Sequence, residues 1–142
     1  MRWLLLDEVV FVERKIAARC RGRVPESVFS AELLMMEMMA QTGALLLGAE
    51  KDFSEDLVFA KIAEAEFETG CRPGEPLEIE ARSEILRSEG AWFEAGIESS
   101  NKKIARSRFL LLSVGHLIPG NAKPITFHDA FMKHFKIREK VR

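Results

Sequence analysis

Apolar and polar residues follow one another in three kinds of stretch along the chain, and each kind predicts a different element. Residues 2–22 hold two apolar runs rich in β-branched side chains with polar residues between them, which predicts a β-hairpin. Residues 31–48 are apolar almost all the way round and predict one long buried helix. Over residues 57–118 apolar and polar positions alternate between turn signals, which predicts four long antiparallel strands with one solvated face.

This order of elements predicts an α+β fold. A helix this apolar has to be covered on most sides, and a curved antiparallel sheet wrapped around it is the most economical cover. Such a sheet leaves two edge strands with unpaired backbone groups. Pairing of an edge with a second copy would satisfy those groups, so we expect a homodimer or a higher homo-oligomer.

The predicted helix carries a carboxylate within its apolar sequence. Glu37 lies near its centre and Gln41 follows one turn later, while Ser30 and Gly48 are suited to its N-cap and C-cap. Apolar surroundings raise the pKa of a carboxyl group, which suits it to acid catalysis. A buried acid held by a hydrogen-bond partner, or an acid at a half-exposed dimer seam, would instead be structural. The residues alone leave both interpretations open.

The pattern of apolar and polar residues in 119–142 differs from that of the strands before it. We therefore expect a domain of residues 1–118 followed by a C-terminal extension with a basic amphipathic helix. Phenylalanine recurs there every four residues, which predicts an apolar stripe packed on the body of the protein. The alternative is a surface for an acidic partner or an anionic membrane. The basic residues of this segment are Lys133, Lys136, Arg138, Lys140 and Arg142.

Composition narrows the class of protein. The chain has 142 residues, of which 47% are hydrophobic and 30% charged, as in ordinary folded domains. A net charge of −1 argues against nucleic-acid binding through general electrostatics. Cys20 and Cys71 are too few for a disulfide framework and lack metal-ligand spacing. The first residues do not resemble a signal peptide and the helix is too short to span a membrane, so we expect a cytoplasmic protein without metal or cofactor.

The stretch "RVPESVFSAELLMMEMMAQ", taken with the order of elements, resembles the hot-dog-fold β-hydroxyacyl-acyl-carrier-protein dehydratases. Their signature reads His-Phe-Pro-Gly-x-Pro-x-x-Pro-Gly, then four residues, then Glu-x-x-Ala-Gln. Aligned without a gap, Glu37, Ala40 and Gln41 match its second part and Pro25 matches the first proline. The resemblance covers most of residues 3–114 and implies a hot-dog fold: a curved antiparallel sheet around one central helix.

The departures from this signature affect the chemistry. The resemblance implies that a His removes a C2 proton and that the acid on the helix, here Glu37, protonates the departing hydroxyl. The position of that His holds Arg23, whose guanidinium stays protonated and cannot act as a general base. The Pro-Gly pair before the helix is replaced by Ala31 and Glu32. We therefore take Glu37 as the candidate catalytic residue, and Arg23, Ala31, Glu32 and Gln41 as candidates for substrate contact.

Two roles are open for Arg23: an ion pair with Glu37, or contact with the phosphate of a pantetheine arm. The histidines of the chain lie in or beyond the last predicted strand, so the sequence brings none of them near Glu37. They are His116, His128 and His134.

Three functions remain open at this point. The first, which we favour, is a divergent dehydratase that binds an acyl thioester of acyl carrier protein or coenzyme A in a tunnel at the dimer interface. The second is a hot-dog thioesterase, because a single acid such as Glu37 can activate water or attack the thioester without a His. The third is a non-catalytic module that binds an acyl chain or a carrier protein, with the basic tail docked on the acidic carrier.

Overall fold

The structure, a computed structural model, describes residues 5–68, 70–120 and 124–142, so the first residues of the predicted hairpin lie outside the described part. Within these ranges the chain forms six strands, one long helix and two short ones. They are β1 (Leu6–Glu13), β2 (Ala17–Arg23), α1 (Ala31–Ala49), β3 (Asp56–Phe67), β4 (Pro76–Arg87), β5 (Gly90–Ser99), β6 (Lys102–Gly115), α2 (Asp129–His134) and α3 (Ile137–Lys140).

All strands pair antiparallel in one sheet of order β1-β2-β4-β5-β6-β3, so β1 and β3 are its edges. The sheet curves around α1, which contributes thirteen buried residues out of nineteen to the core. The predicted α+β arrangement is thereby confirmed. Because α1 has almost no wet face, its position against the sheet is fixed on several sides at once.

The N-terminal end of α1 is capped as expected. Ser30 has extended backbone angles, φ −65° and ψ 152°, and its Oγ accepts a hydrogen bond of 3.2 Å from the backbone N–H of Leu33. This contact satisfies one of the amide groups that a helix start leaves without an intrahelical partner.

The C-terminal end of α1 differs from the expectation. The helix continues through Gly48 to Ala49, and Gly48 serves close packing because a Cβ there would lie 2.5 Å from the ring of Phe127. The guanidinium of Arg14 donates a 2.6 Å hydrogen bond to the carbonyl of Ala49. A positive charge at this end interacts favourably with the helix dipole, so Arg14 takes the role of a cap.

The C-terminal segment forms α2 and α3 instead of the single basic helix that we expected. Lys136 adopts left-handed backbone angles, φ 50° and ψ 46°, which stop one helix before the next begins. The phenylalanine stripe does pack on the body, since Phe127 and Phe135 are buried and the Phe53 and Phe127 rings are 5.1 Å apart. The boundary at residue 118 stays a prediction.

Asp56, the first residue of β3, ties the chain after β6 to the sheet. Its carboxylate accepts hydrogen bonds from the backbone N–H groups of Leu117 (2.9 Å), Ile125 (2.6 Å) and Thr126 (2.7 Å). The group is 1% exposed. The path from β6 to the tail is therefore fixed at both ends by one buried carboxylate.

Among the described residues, no helix is both long and apolar enough to cross a membrane.

Candidate functional site

Glu37 lies in the second turn of α1 and is half-buried. Its Oε1 accepts a 3.2 Å hydrogen bond from Nε2 of Gln41, one turn further along the helix. The Oε1 of Gln41 in turn accepts a 3.2 Å hydrogen bond from the backbone N–H of Leu5, just before β1. Gln41 thus fixes the orientation of the carboxyl group relative to the first strand. A backbone donor leaves no signal in the side-chain pattern, so sequence reasoning missed the contact of Gln41 with Leu5.

The surroundings of Glu37 favour its protonated form. Desolvation raises the pKa of the carboxyl group, and the hydrogen bond from Gln41 opposes this without cancelling it. The net pKa is above the ordinary value for a glutamate. Such a group holds its proton at a higher pH than a solvated carboxylate does and can deliver it to a departing oxygen.

Arg23 is the last residue of β2, where it pairs with Pro76 of β4 and is exposed. It borders a shallow cleft together with Asp7, Pro73 and Gly74. Within the described residues of one protomer, no ion pair connects Arg23 with Glu37, so that alternative is wrong for the single chain. Its contact with a substrate phosphate stays a prediction.

Ala31 and Glu32 form the first turn of α1, with Ala31 half-buried and Glu32 exposed. The turn that precedes β4 lies close to this helix end. Desolvation, followed by the carboxylates of Glu75 and Glu32, raises the pKa of the Cys71 thiol. Contact of Ala31 and Glu32 with a substrate stays a prediction.

The histidines lie towards the other end of α1. His128 caps α2, where its Nδ1 accepts from the backbone N–H of Phe131 at 3.1 Å, and the ring of His134 packs 4.7 Å from that of Phe135. His116 follows β6 near Glu55, whose pKa is lowered chiefly by hydrogen bonds from Ser113 and Lys51 and least by His116. The tail meets α1 at Gly48, about 16 Å along the helix axis from Glu37. Geometry therefore supplies no histidine base to Glu37 from the described part of its own protomer.

Apolar side chains of the edge strand β3 are left exposed. Phe59 and Ile62 are 38% and 48% exposed. Ile62 pairs with the buried Phe109 of β6, and residues directly opposite each other share a face of a sheet. At β3, part of the inner face of the sheet is therefore not covered by α1.

No group of three or more His, Cys, Asp or Glu side chains in the described ranges is arranged to hold a metal ion.

Comparison with known proteins gives one sequence relative and many structural ones. No protein-family model matches the chain. The chain is 29% identical over 96 residues to 3-hydroxyacyl-acyl-carrier-protein dehydratase FabZ of Chlamydia pneumoniae, a match that covers 64% of this chain and 63% of the relative. The chain thus spans a little under two thirds of the length of the curated relative.

Three solved structures illustrate the likeness of the folds. The dehydratase heterocomplex ApeI:P of Xenorhabdus doucetiae matches with a TM-score of 0.67 at 16% identity, covering 80% of this chain and 84% of that one. Thioesterase HI1161 of Haemophilus influenzae matches with a TM-score of 0.61 at 14% identity, covering 79% of this chain and 81% of that one. The smu.793 protein of Streptococcus mutans, bound to acetyl CoA, matches with a TM-score of 0.60 at 12% identity, covering 76% of this chain and 88% of that one. The predicted hot-dog fold is confirmed.

Proposed function

This chain has a hot-dog fold and is related in sequence to the 3-hydroxyacyl-acyl-carrier-protein dehydratases, and we propose that it acts on acyl thioesters as a divergent member of that family. The observation that carries the proposal is the half-buried Glu37, whose pKa is raised and whose carboxyl group is oriented by Gln41. In the alignment with the family signature, Glu37 falls on the position of the family's acid. The acyl chain would lie in a tunnel between two protomers, and we place the protein in the cytoplasm.

In a dehydration, Glu37 would give its proton to the 3-hydroxyl group as the bond from C3 to oxygen breaks. A base would take the C2 proton, its electron pair would form the C2–C3 double bond, and water would leave. None of the described histidines of one protomer is placed near Glu37 to act as this base. A second copy of this chain would bring Arg23 again, which cannot serve.

We therefore propose that dehydration needs a related protomer that keeps the family His. The similarity to a chain of a dehydratase heterocomplex supports a mixed dimer of this kind. A homodimer, with the acyl thioester of coenzyme A or of acyl carrier protein bound between two copies, is the assembly that we propose when no such partner is present.

The test introduces the missing base into the chain itself. We expect Arg23→His to raise the hydration of an enoyl-CoA, followed by its ultraviolet absorbance, about tenfold or more over the parent, in line with the contribution of a positioned general base. Adding Glu37→Gln to Arg23→His should remove that gain. Glu50→Gln, at the C-cap of the same helix, is the matched control and should retain it. No gain in Arg23→His, or a gain that survives Glu37→Gln, would contradict the assignment.

A second candidate is thioester hydrolysis, which needs no base besides Glu37, and the described residues of one protomer place no histidine near it. Glu37 would take a proton from water, whose oxygen attacks the thioester carbonyl. The carbon–sulfur bond then breaks and the thiolate takes up the proton. Two of the structural relatives above are a thioesterase and a protein bound to acetyl CoA.

A thiol reagent distinguishes these functions, because hydrolysis of an acyl-CoA releases free thiol and hydration of the enoyl form does not. Thiol release by the parent that is lost in Glu37→Gln and kept in Glu50→Gln would select hydrolysis. Binding of the acyl thioester without either reaction, in the parent and in Arg23→His, would select the non-catalytic module.

A further inference from the structure

One side of α1 is less completely covered than the rest of the helix. Glu37, Gln41 and Ala44 are half-buried, whereas every other residue of 34–49 is buried. Spacings of four and three residues place these three side chains in one row along the helix. Gly48 continues the same row four residues after Ala44, and it is buried. The row is therefore accessible along its middle and covered at its C-terminal end.

The cover at Gly48 comes from aromatic rings that the tail and the loop after α1 supply. A Cβ at Gly48 would lie 2.5 Å from the ring of Phe127 and 2.9 Å from that of Phe53, so both rings rest directly on the helix backbone. Phe127 is only 4% exposed. The neighbouring backbone N–H of Thr126 donates a 2.7 Å hydrogen bond to the carboxylate of Asp56, which holds this part of the tail in place.

The accessible part of the row lies between the two edges of the sheet. On one side, Gln41 accepts its hydrogen bond from the backbone N–H of Leu5, just before β1. On the other side, a Cβ at Gly43 would lie 3.1 Å from the ring of Phe109, whose centroid is 5.5 Å from that of the half-exposed Phe59 of β3. The row and β3 thus form an apolar trough that begins at the acid of α1 and ends under the rings of the tail.

The N-terminal end of the trough is open. Leu33, one turn before Glu37, is 50% exposed, and Val28 in the loop before the helix is 98% exposed. The carrier of an acyl thioester is charged and has to remain in water. The N-terminal end of a helix also favours an anion such as the phosphate of that carrier. The open end therefore suits the carrier, and the closed end suits the terminal methyl group of the acyl chain.

We propose that Phe127 sets the upper limit on the length of the acyl chain, because its ring closes the trough over Gly48. The inference rests on the proposed binding of acyl thioesters and gives the tail a part in substrate choice. Gly48 lies about 16 Å along the helix axis from Glu37. An extended chain advances roughly 1.2 Å per bond, so about 13 carbons beyond the reacting carbon would reach Gly48, and the ring takes up part of that length. Acyl groups of about 14 carbons then fit and those of about 18 carbons do not.

The test measures the affinity of the full chain for a series of acyl-CoAs, from butyryl-CoA to stearoyl-CoA, by isothermal titration calorimetry. We expect the parent to bind stearoyl-CoA about tenfold or more weakly than myristoyl-CoA, because the longer chain meets the ring of Phe127. Phe127→Ala should bring the two affinities within about threefold of each other. The matched control is Phe135→Ala, which removes another buried phenylalanine of the tail without opening the trough and should keep the limit of the parent.

A second variant shortens the trough without touching the tail. Ala44 lies about 10 Å along the helix axis from Glu37, beyond the reach of an octanoyl chain. We expect Ala44→Leu to weaken the binding of myristoyl-CoA about tenfold or more and to leave that of octanoyl-CoA within about twofold. An equal loss for both chains, a limit that persists in Phe127→Ala, or a limit that Phe135→Ala also removes would overturn the proposal.

The acyl-length limit and the reaction are measured separately. Glu37→Gln should abolish turnover and keep the limit on chain length. A limit that depends on Phe127 in a parent without turnover would contradict the proposed function and uphold the role of Phe127. Turnover in a parent that binds stearoyl-CoA as tightly as myristoyl-CoA would overturn this inference and leave the proposed function in place. Binding of none of the acyl-CoAs would overturn both.

Discussion

Glu37 is an acid whose surroundings oppose its charge, and this has a cost that stability measurements can detect. Its pKa in the folded protein is raised by desolvation, whereas in the unfolded chain it returns to the ordinary value of a solvated glutamate. Between these two pKa values the folded state binds more protons than the unfolded state. Stability therefore falls as the pH rises through this window, and the cost persists at neutral pH.

We expect Glu37→Gln to be more stable than the parent at neutral pH, because the amide carries no charge to desolvate. The difference should shrink as the pH falls below the unfolded value and the glutamate becomes protonated in both states. Urea unfolding of both proteins over a pH series measures this, with Glu50→Gln as the control that should follow the parent. A variant less stable than the parent at neutral pH would show that the carboxylate is satisfied by contacts stronger than that of Gln41.

Individual site residues could be located from the sequence only where they lie on a strong local pattern. Glu37 and Gln41 were placed correctly on one helix because apolar residues surround them on both sides. The ion pair between Arg23 and Glu37 had no such support, and the end of β2 carries Arg23 to an exposed position instead. The hydrogen bond between Gln41 and Leu5 joins residues 36 positions apart through a backbone group, which no side-chain pattern encodes.

At the scale of elements, the strands and the central helix were predictable and the tail was not. Alternation over ten or more residues specifies a strand without help from its neighbours, and four such strands were found where we expected them. The tail also has periodic phenylalanines, but the first of them, Phe127, packs on Phe53 and Gly48 of other elements. Packing on the body and the left-handed backbone at Lys136 determine the path of the tail. The spacing of the phenylalanines therefore did not imply one continuous helix.

Asp56 shows how a polar residue with no motif can organise two elements. Its burial by itself raises the pKa, but hydrogen bonds from the backbone N–H groups of Thr126, Leu117 and Ile125 and from the side chain of Thr126 together hold it below the ordinary value. A carboxylate stabilised in this way contributes stability above its unfolded pKa, which is lost as the pH falls through the folded one.

We expect Asp56→Asn to lower the free energy of unfolding at neutral pH by about 3 kcal/mol or more, since hydrogen bonds to a charged group contribute roughly 1.5–3 kcal/mol each. The difference from the parent should narrow as the solution becomes acidic. Asp52→Asn, which removes only the exposed pair with Arg138, is the control and should change stability by less than about 1 kcal/mol. Equal effects of the two variants in urea unfolding would refute the role given to Asp56.

At the scale of the whole molecule, the two edges of the sheet are not equivalent. The outer side of β1 is partly occupied, because Val141 bridges Val12 and Arg142 exchanges backbone hydrogen bonds with Val12 and Arg14. The other edge is β3, a strand of twelve residues that pairs only with β6 among the described elements. A long uncovered edge strand pairs readily with another chain. Hence β3 is the edge through which we propose that two protomers associate.

Ile62 provides the test of this assembly, because it is 48% exposed on β3 and its replacement leaves the buried core intact. We expect the parent to sediment as a dimer and Ile62→Glu to raise the dissociation constant about tenfold or more, since a charge would be buried without a partner in the interface. Ile85→Glu is the matched control: Ile85 is 53% exposed and lies opposite Trp92 on the strand pair of β4 and β5, away from the edge. A monomeric parent, or equal weakening by both substitutions, would place the interface elsewhere. Loss of turnover in Ile62→Glu alongside dissociation would in addition connect the site at Glu37 to the assembled dimer.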